Sequence, residues 1–576
     1  MAIKTNKMKL ATAFYQTIAL ASCLGVAPAA IAQQVRAQHG MVASASSIAS
    51  QVGVDILKKG GNAVDSACAV GLALAVTYPV AGNLGGGGFM LIRQPDGNSI
   101  AIDYRETAPA AAARNMYLDA AGNVKPGLSL TGYRASGVPG TVAGLGMAHK
   151  KYGHLPWRDI VEPARKLAAQ GIPVSYGMAN GLRATKELAK FAESKRIFLK
   201  SGEYYRTGDT FRQPELAATL ERIQKLGPAE FYTGATAKLI IEDMKKHRGL
   251  ITLNDLASYH PVERTPVKGT YRGYDIISMP PPSSGGAALI QMLNILERHD
   301  LASMGYNSAS ANHLMIETMR RAFADRSEFP GDPDFVKVPV GGLTSKKYAE
   351  ELDATIRTDH ATPSTEIGHG APGVYESPET THFSVVDSAG CAVSNTYTLN
   401  MGYGSAVTIA GAGFLMNDEM DDFTSKPGSP NGFGLIQGEA NAIVPGKRPL
   451  SSMTPTILCR NGKLFMVIGS PGGPTIINTV LQVILNVVDH GMDIGHAIAA
   501  PRFHHQWIPD VVAAETYAFP AEVMQALTAR GHIIDQPAQA KVRHQGDAEG
   551  ILIDPTTGDR VGASDPRSSD AAAKGY

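Results

Sequence analysis

Residues 354–379 read ATIRTDHATPSTEIGHGAPGVYESPE, with no hydrophobic period and a surplus of Thr, Pro, Gly and His, and at Thr380 the texture changes to strand-forming sequence. An irregular connector running straight into apolar strands narrows the folds open to the chain, because the strands must pair at once. Asp387-Ser388-Ala389-Gly390 supplies the turn: Asp suits its first position, and Gly can take the left-handed conformation that closes a three-residue loop. If Asp387 faces Cys391, Thr380 lies opposite Thr398 and Thr381 opposite Tyr397. Side-chain alternation then puts Thr380, Thr398 and Asn400 on one face, three polar groups at the open end of an apolar hairpin. A two-residue loop would break that cluster.

A threonine hydroxyl is a poor nucleophile unless a base is near, and a chain-terminal threonine carries one in its own α-amine, of pKa about 8. Such a terminus could arise inside the chain if the Thr380 hydroxyl attacked the Glu379 carbonyl and water cleaved the resulting ester. The plainer reading, two β-branched residues starting a strand, stays open at this point.

The rest of the chain mixes helix and strand. Ala45 to Lys59 reads as a helix closing on Gly60-Gly61, and Ala63 to Thr77 as another. Gly85-Gly86-Gly87-Gly88 leads into a strand, Phe89 to Ile92. Residues 155–260 read as mainly helical; the clearest helix starts with Pro214, repeats Leu216, Leu220 and Ile223, and stops before Gly227. Gly285 to Phe323 is again helix-forming. Strand signals return at Phe383 to Val386, Ala392 to Leu399, Ile457 to Leu458 and Leu464 to Ile468. Strands with helices on both sides imply stacked sheets in an α/β or α+β arrangement.

Residues 1–32 read as an export signal: Lys4, Lys7 and Lys9, an apolar run from Leu10 to Val26, and the small-x-small site Ala30-Ile31-Ala32. Leu20-Ala21-Ser22-Cys23 also fits a lipoprotein box with the lipid on Cys23, although the chain stays apolar beyond it. Export to the periplasm or outside is the expectation. Without Cys23, Cys68, Cys391 and Cys459 remain, too few and too scattered for a disulfide framework or a zinc site, so they read as buried thiols. No later run reaches the roughly 20 apolar residues of a membrane helix. Lys plus Arg (53) balances Asp plus Glu (52), which argues against nucleic acid as a partner and for a small-molecule or peptide substrate.

The blocks TTHFSVVD, TYTLN, MDDF, KRPLSSMTPT, GSPGG, APRFHHQW and GASDPR, in this order, resemble the γ-glutamyltransferases (γ-glutamyl transpeptidases), self-cleaving members of the N-terminal-nucleophile hydrolases. The resemblance runs from about Gly40 to Tyr576. It implies an α+β fold, a four-layer αββα sandwich, in which a precursor is cut between Glu379 and Thr380. The large subunit would be residues 33–379 and the small subunit 380–576, associated as a heterodimer and intertwined in one unit. It also implies that the enzyme cleaves the γ-glutamyl amide bond of glutathione and related compounds through an ester on Thr380, and passes the acyl group to water or to an amino acid or peptide acceptor. No cofactor and no metal are implied.

Residue by residue, the resemblance makes Thr380 the nucleophile, Thr398 a hydrogen-bond partner of its hydroxyl, and Gly472-Gly473 the oxyanion hole. Arg105, Ser451 and Ser452 are implied to hold the donor's α-carboxylate, and Asn400, Glu419 and Asp422 its α-ammonium. An arginine fork and bare backbone N–H groups suit those tasks. Singly, each has a plainer reading: Arg105 as a surface ion pair, Ser451-Ser452 and Gly472-Gly473 as turns, Asp421-Asp422 as a solvated pair. His382 and His504-His505 read as structural, and the four-glycine run lacks the Gly-Lys-Ser/Thr ending of a phosphate loop.

Two segments depart from the family pattern. In the lid-like loop Pro427 to Gln437, Phe433 stands where related lids often carry a tyrosine bonded to the asparagine matching Asn400, which implies a looser lid and a larger share of hydrolysis. Val542-Arg543-His544-Gln545 replaces a small-residue segment and leaves acceptor preference open. The rival readings are a cephalosporin (glutaryl-7-ACA type) acylase of the same fold and a noncatalytic exported binding protein.

Overall fold

The computed structural model describes residues 32–329, 331–370, 382–537 and 544–576. The expectations for Glu379, Thr380, Thr381, Val542, Arg543 and the leader, Cys23 included, lie outside the described residues. Ala32–Tyr576 forms one compact unit.

Two seven-stranded sheets make its centre. One runs Gln34–Ala37, Arg560–Ser564, Glu549–Ile553, Lys463–Ile468, Thr456–Arg460, Tyr274–Ser278, Val267–Tyr271. The other runs Ala572–Gly575, Met41–Ser44, His382–Val386, Ala392–Thr398, Gly87–Arg93, Ser99–Asp103, Val262–Arg264. Alternation along each strand sorts its side chains. Phe89 and Leu91 point into the layer between the sheets with Ile277, Ile457 and Val467, and Met90 and Ile92 point outward, under helices. Polar links cross the inner layer too: the Ser384 hydroxyl donates to the Glu549 carbonyl (2.9 Å) and the Ser394 hydroxyl to the Ile468 carbonyl (3.2 Å).

Helices cover both outer faces. Ala63–Thr77, capped by Asn62 and buried along its whole length, lies on the second sheet. Gly285–Leu296, Ala309–Glu328 and Thr475–Val488 cover the first. The layers are α, β, β, α, the fold expected from the resemblance. The helix from Pro214 runs to Leu226 with Pro at its first turn, and Gly227 at φ 82° ends it. The stretch from Gly285 to Phe323 divides into two main helices with a short turn, Leu301–Met304, between them. The connector from residue 354 is largely exposed up to 370, but Thr362 and Ser364 are buried: Ser364 N–H donates to Asp510 (2.7 Å) and Trp507 Nε1 to the Ser364 carbonyl (3.0 Å).

The hairpin forms in the three-residue register. His382 pairs with Thr396 and Val386 with Ala392, Asp387 N–H donates to the Cys391 carbonyl (3.1 Å), and Gly390 takes φ 82°. Asp387 also uses its carboxylate on the N–H groups of Ala389 and Cys391, which fixes the loop. Cys68, Cys391 and Cys459 are buried free thiols. Among the described residues no helix is long and apolar enough to cross a membrane.

Candidate active site

The open end of the hairpin is held by the four-glycine run. A Cβ on Gly86 would overlap the Thr398 carbonyl oxygen, and one on Gly88 would collide with the Tyr397 backbone, so this close strand approach admits only glycine. Asn83 clamps the contact: its amide donates to the Thr398 carbonyl (2.8 Å), and its oxygen accepts from Gly86 N–H (3.0 Å) and the Thr141 hydroxyl (2.6 Å). The run's purpose is packing at the site.

Past Thr398 the chain turns. Asn400, at φ 80°, donates its N–H to the Thr398 hydroxyl (2.8 Å), and its side-chain amide donates to the Asp418 carbonyl (3.1 Å). Asp418 in turn takes the Met401 N–H (3.0 Å). This joins the hairpin to the short 3₁₀ turn Glu419–Asp422, and Asn417 anchors that turn by accepting from Glu419 N–H (3.0 Å) and donating to the Gly85 carbonyl (2.8 Å).

Arg105 sits at the centre, fully buried. Its Nη1 donates to Glu419 and its Nη2 to Asp422 (2.5 Å), while Nη2 also reaches the Leu450 carbonyl (3.1 Å), just before Ser451 and Ser452. The surface readings of Arg105 and of Asp421-Asp422 are therefore wrong; all three are buried ions or their partners. Burial works against the Arg105 charge, yet Glu419, Asp422 and Glu106 outweigh it and hold the guanidinium above its usual range. One guanidinium faces three buried carboxyls. Burial lifts Glu106 to about 7 and Asp422 to about 6, Arg105 opposing the rise in each, and lifts Glu419 well above the usual range, as expected where one positive charge serves three buried acids.

The expected carboxylate holders and ammonium holders thus meet, but paired with each other. Ser451 and Ser452 are buried beside them, and Ser452 accepts from Arg326 Nη2 (2.9 Å). Arg326 also donates through Nε to the Ser284 hydroxyl (3.1 Å). Sequence reasoning missed Glu106, Arg326, Asn83 and Asp418. The DYRE block, with Glu106 beside Arg105, was the only local signal for any of them.

The Gly472-Gly473 turn stands at the N-terminus of the helix Thr475–Val488, both residues at positive φ (133° and 57°), with Ile476 N–H donating to the Gly473 carbonyl (3.1 Å). The positive end of the helix dipole favours negative charge there. The loop Pro427 to Gln437 closes the circle. A Cβ on Gly473 would lie 2.8 Å from the Phe433 ring, Gly432 N–H donates to Asp421 (2.8 Å), and Asn431 donates to Asp422 (3.3 Å). Phe433 therefore covers Gly473 while its neighbours fasten the loop to the acidic turn.

The histidines are structural. His382 nitrogens lie 3.1 Å from the Thr396 hydroxyl and 2.8 Å from that of Ser384, and burial lowers the ring to about 3, so it stays neutral. His504 bonds Asn478 and Gln506, and His505 bonds Asp510. No cluster fit to hold a metal occurs among the described residues.

A family model described as Gamma-glutamyltranspeptidase matches residues 49–575. The chain belongs to the gamma-glutamyltranspeptidase family. Within it, a "Glutathione hydrolase proenzyme" of Escherichia coli K12 is 52% identical over 544 residues, covering 94% of this chain and 93% of that protein. Among solved structures, a cephalosporin acylase from Bacillus halodurans aligns with TM-score 0.85 at 28% identity, over 96% of this chain and 98% of its own. A chain of the Helicobacter pylori gamma-glutamyltranspeptidase aligns with TM-score 0.56 at 47% identity, covering 60% of this chain and 97% of that one. The sandwich described above is the fold this chain shares with the aligned acylase structure.

Proposed function

We propose that the chain is a self-processing γ-glutamyl transferase and hydrolase acting on glutathione and related γ-glutamyl compounds, with Thr380 as nucleophile. In processing, the Thr380 hydroxyl oxygen attacks the Glu379 carbonyl carbon, the peptide C–N bond breaks as the C–O bond forms, and water cleaves the ester to leave Thr380 with a free α-amine. That amine takes the hydroxyl proton in the second reaction. The oxygen attacks the donor's γ-carbonyl, and the oxyanion accepts hydrogen bonds from Gly472 and Gly473. The departing amine takes a proton, leaving a γ-glutamyl ester that water or an amino acid or peptide amine resolves.

The observation that carries this reading is the buried Arg105 bound to Glu419 and Asp422. A free γ-glutamyl group bears a carboxylate and an ammonium at one end. It fits where an arginine is already paired with two acids, because its carboxylate can take up the arginine while its ammonium takes up the acids the arginine releases. Ser451 and Ser452 complete the carboxylate side, and Asn400 the ammonium side. A glutaryl donor lacks the ammonium and would strand Glu419 and Asp422.

Scission after Glu379 would leave residues 33–379 and 380–576 joined, because His382–Val386 and Ala392–Thr398 lie between Met41–Ser44 and Gly87–Arg93 in one sheet. A leader on residues 1–32 would export the chain to the periplasm or beyond.

N-terminal sequencing of fragments separated on a denaturing gel tests the reading. A fragment beginning Thr-Thr-His is expected, and none from Thr380→Ala. A γ-glutamyl anilide should be cleaved and a glutaryl-cephalosporin spared; the reverse preference would assign an acylase, and a fully active uncut chain would overturn the mechanism.

A further inference from the structure

A second cavity of about 320 Å³ lies beside the candidate active site without belonging to it. Its lining includes Tyr78, Tyr403, Gly546, Asp547, Arg567 and Asp570. Two walls are shared with the site. Tyr403 ends the turn that begins at Asn400, and its N–H is held by the Val80 carbonyl (2.7 Å). Gly546 backs onto the oxyanion turn, since a Cβ on Gly472 would lie 3.1 Å from the Gly546 Cα.

The charges of this cavity are unbalanced. Arg567 spends its guanidinium elsewhere: Nε and Nη2 on Glu515 (2.7 and 2.5 Å), Nη1 on Asp565 (2.9 Å) and the Ile498 carbonyl (3.1 Å), Nη2 also on the Ala500 carbonyl (3.0 Å). Among the described residues the Asp570 carboxylate has only hydroxyl partners, Ser175 (2.5 Å) and Ser569 (3.1 Å). Asp547 is 9% exposed, and its Oδ1 has no hydrogen-bond partner among the described residues. Neither acid forms an ion pair with a described basic residue; Asp570 is half-buried, but Asp547 is buried, and buried carboxylates ordinarily have partners. Burial, with the Asp565 carboxylate adding to it, pushes Asp547 up to about 8 against the opposing pull of Arg502, Ser568 and Arg567, and a further cation would lower it. Tyr78 and Tyr403 line the same space, and aromatic rings attract organic cations.

We propose that this cavity binds a small organic ammonium ion, Asp547 and Asp570 taking its charge and the Tyr78 and Tyr403 rings its alkyl part. The site is distinct from the Arg105 pocket, in which every carboxylate group competes for one guanidinium. Its volume suits a diamine or a short amino compound.

Calorimetric titration of the full-length protein at pH 7 with 1,4-diaminobutane tests this, with 1,4-butanediol as the uncharged match. One diamine should bind per chain and the diol should not compete. Asp547→Asn should weaken the diamine at least about tenfold, and Tyr403→Leu less, while Asp422→Asn leaves the affinity unchanged. If melting curves show Asp547→Asn misfolded, Asp570→Asn carries the same expectation. Absence of binding up to about 10 mM, equal binding of the diol, unchanged affinity in folded Asp547→Asn or Asp570→Asn, or loss of binding in Asp422→Asn would each overturn the proposal.

Discussion

The molecule holds two acidic regions a few residues apart along the 400–404 turn, and they treat charge in opposite ways. Around Arg105, Glu419 and Asp422 are bound to the arginine between them, under a lid tied to the same turn. Around Asp547 the nearby arginines, Arg502 and Arg567, are engaged by other acids and by carbonyls, and a carboxylate oxygen is left over. A ligand enters the first by exchanging partners and so must bring both signs of charge. The second asks only for a cation. Residue type is the same in both places; the assignment of each guanidinium decides the difference.

Four substitutions probe that contrast. Arg105→Ala strips the first region of its cation and leaves buried acids unpaired. With about 3–5 kcal/mol at stake, kcat/KM for a γ-glutamyl anilide should fall by about 10²–10⁴, with diamine binding at Asp547 intact. If both sites fail together, the two regions are one. Gly473→Ala forces a side chain onto φ 57° and against the Phe433 ring; steady-state kinetics should show a loss of about 10² in kcat with little change in KM. Phe433→Tyr keeps the lid's cover and adds a hydroxyl, so the transfer-to-hydrolysis ratio, measured with a dipeptide acceptor, should rise by about two- to fivefold; an unchanged ratio removes the lid from acceptor selection. The smallest effect belongs to Glu106→Gln. A carboxyl raised to about 7 by burial gives stability that is whole below its unfolded pKa and is lost as pH climbs through 7. Wild-type Tm should therefore decline from pH 5 to pH 8, and the amide should flatten the slope by about 2 °C.

Local chemistry made part of this legible before any coordinates. Asp387 and Gly390 determine a three-residue loop, and the loop determines the register that the pairs from His382–Thr396 to Val386–Ala392 keep; the pairs expected for Thr380 and Thr381 lie outside the described residues. Pro214 and Gly227 bracket their helix for the same reason, since each acts within its own turn. What the sequence left hidden depends on distant segments meeting. Gly86 is glycine because the Thr398 carbonyl, more than 300 residues on, presses against it. Arg105 reads as a surface ion until the turn at 419–422 folds over it. Arg326 lies in an unremarkable helical stretch, and nothing near it in the chain points to Ser452. The Asp547 cavity draws its walls from residues 77–80, 403 and 544–570, and no single stretch announces it.

The interleaving of the sheets has a consequence for history. Strands from either side of residue 379 alternate through the same hydrogen-bonded ladders, so an intact precursor can weave them as one polymer with a favourable effective concentration. Once severed, the halves would have to find each other again as separate molecules. Maturation would therefore be a one-way ratchet: heat a ripened sample past melting and cool it, and recovery should depend on dilution, whereas unripe Thr380→Ala material should return at any concentration.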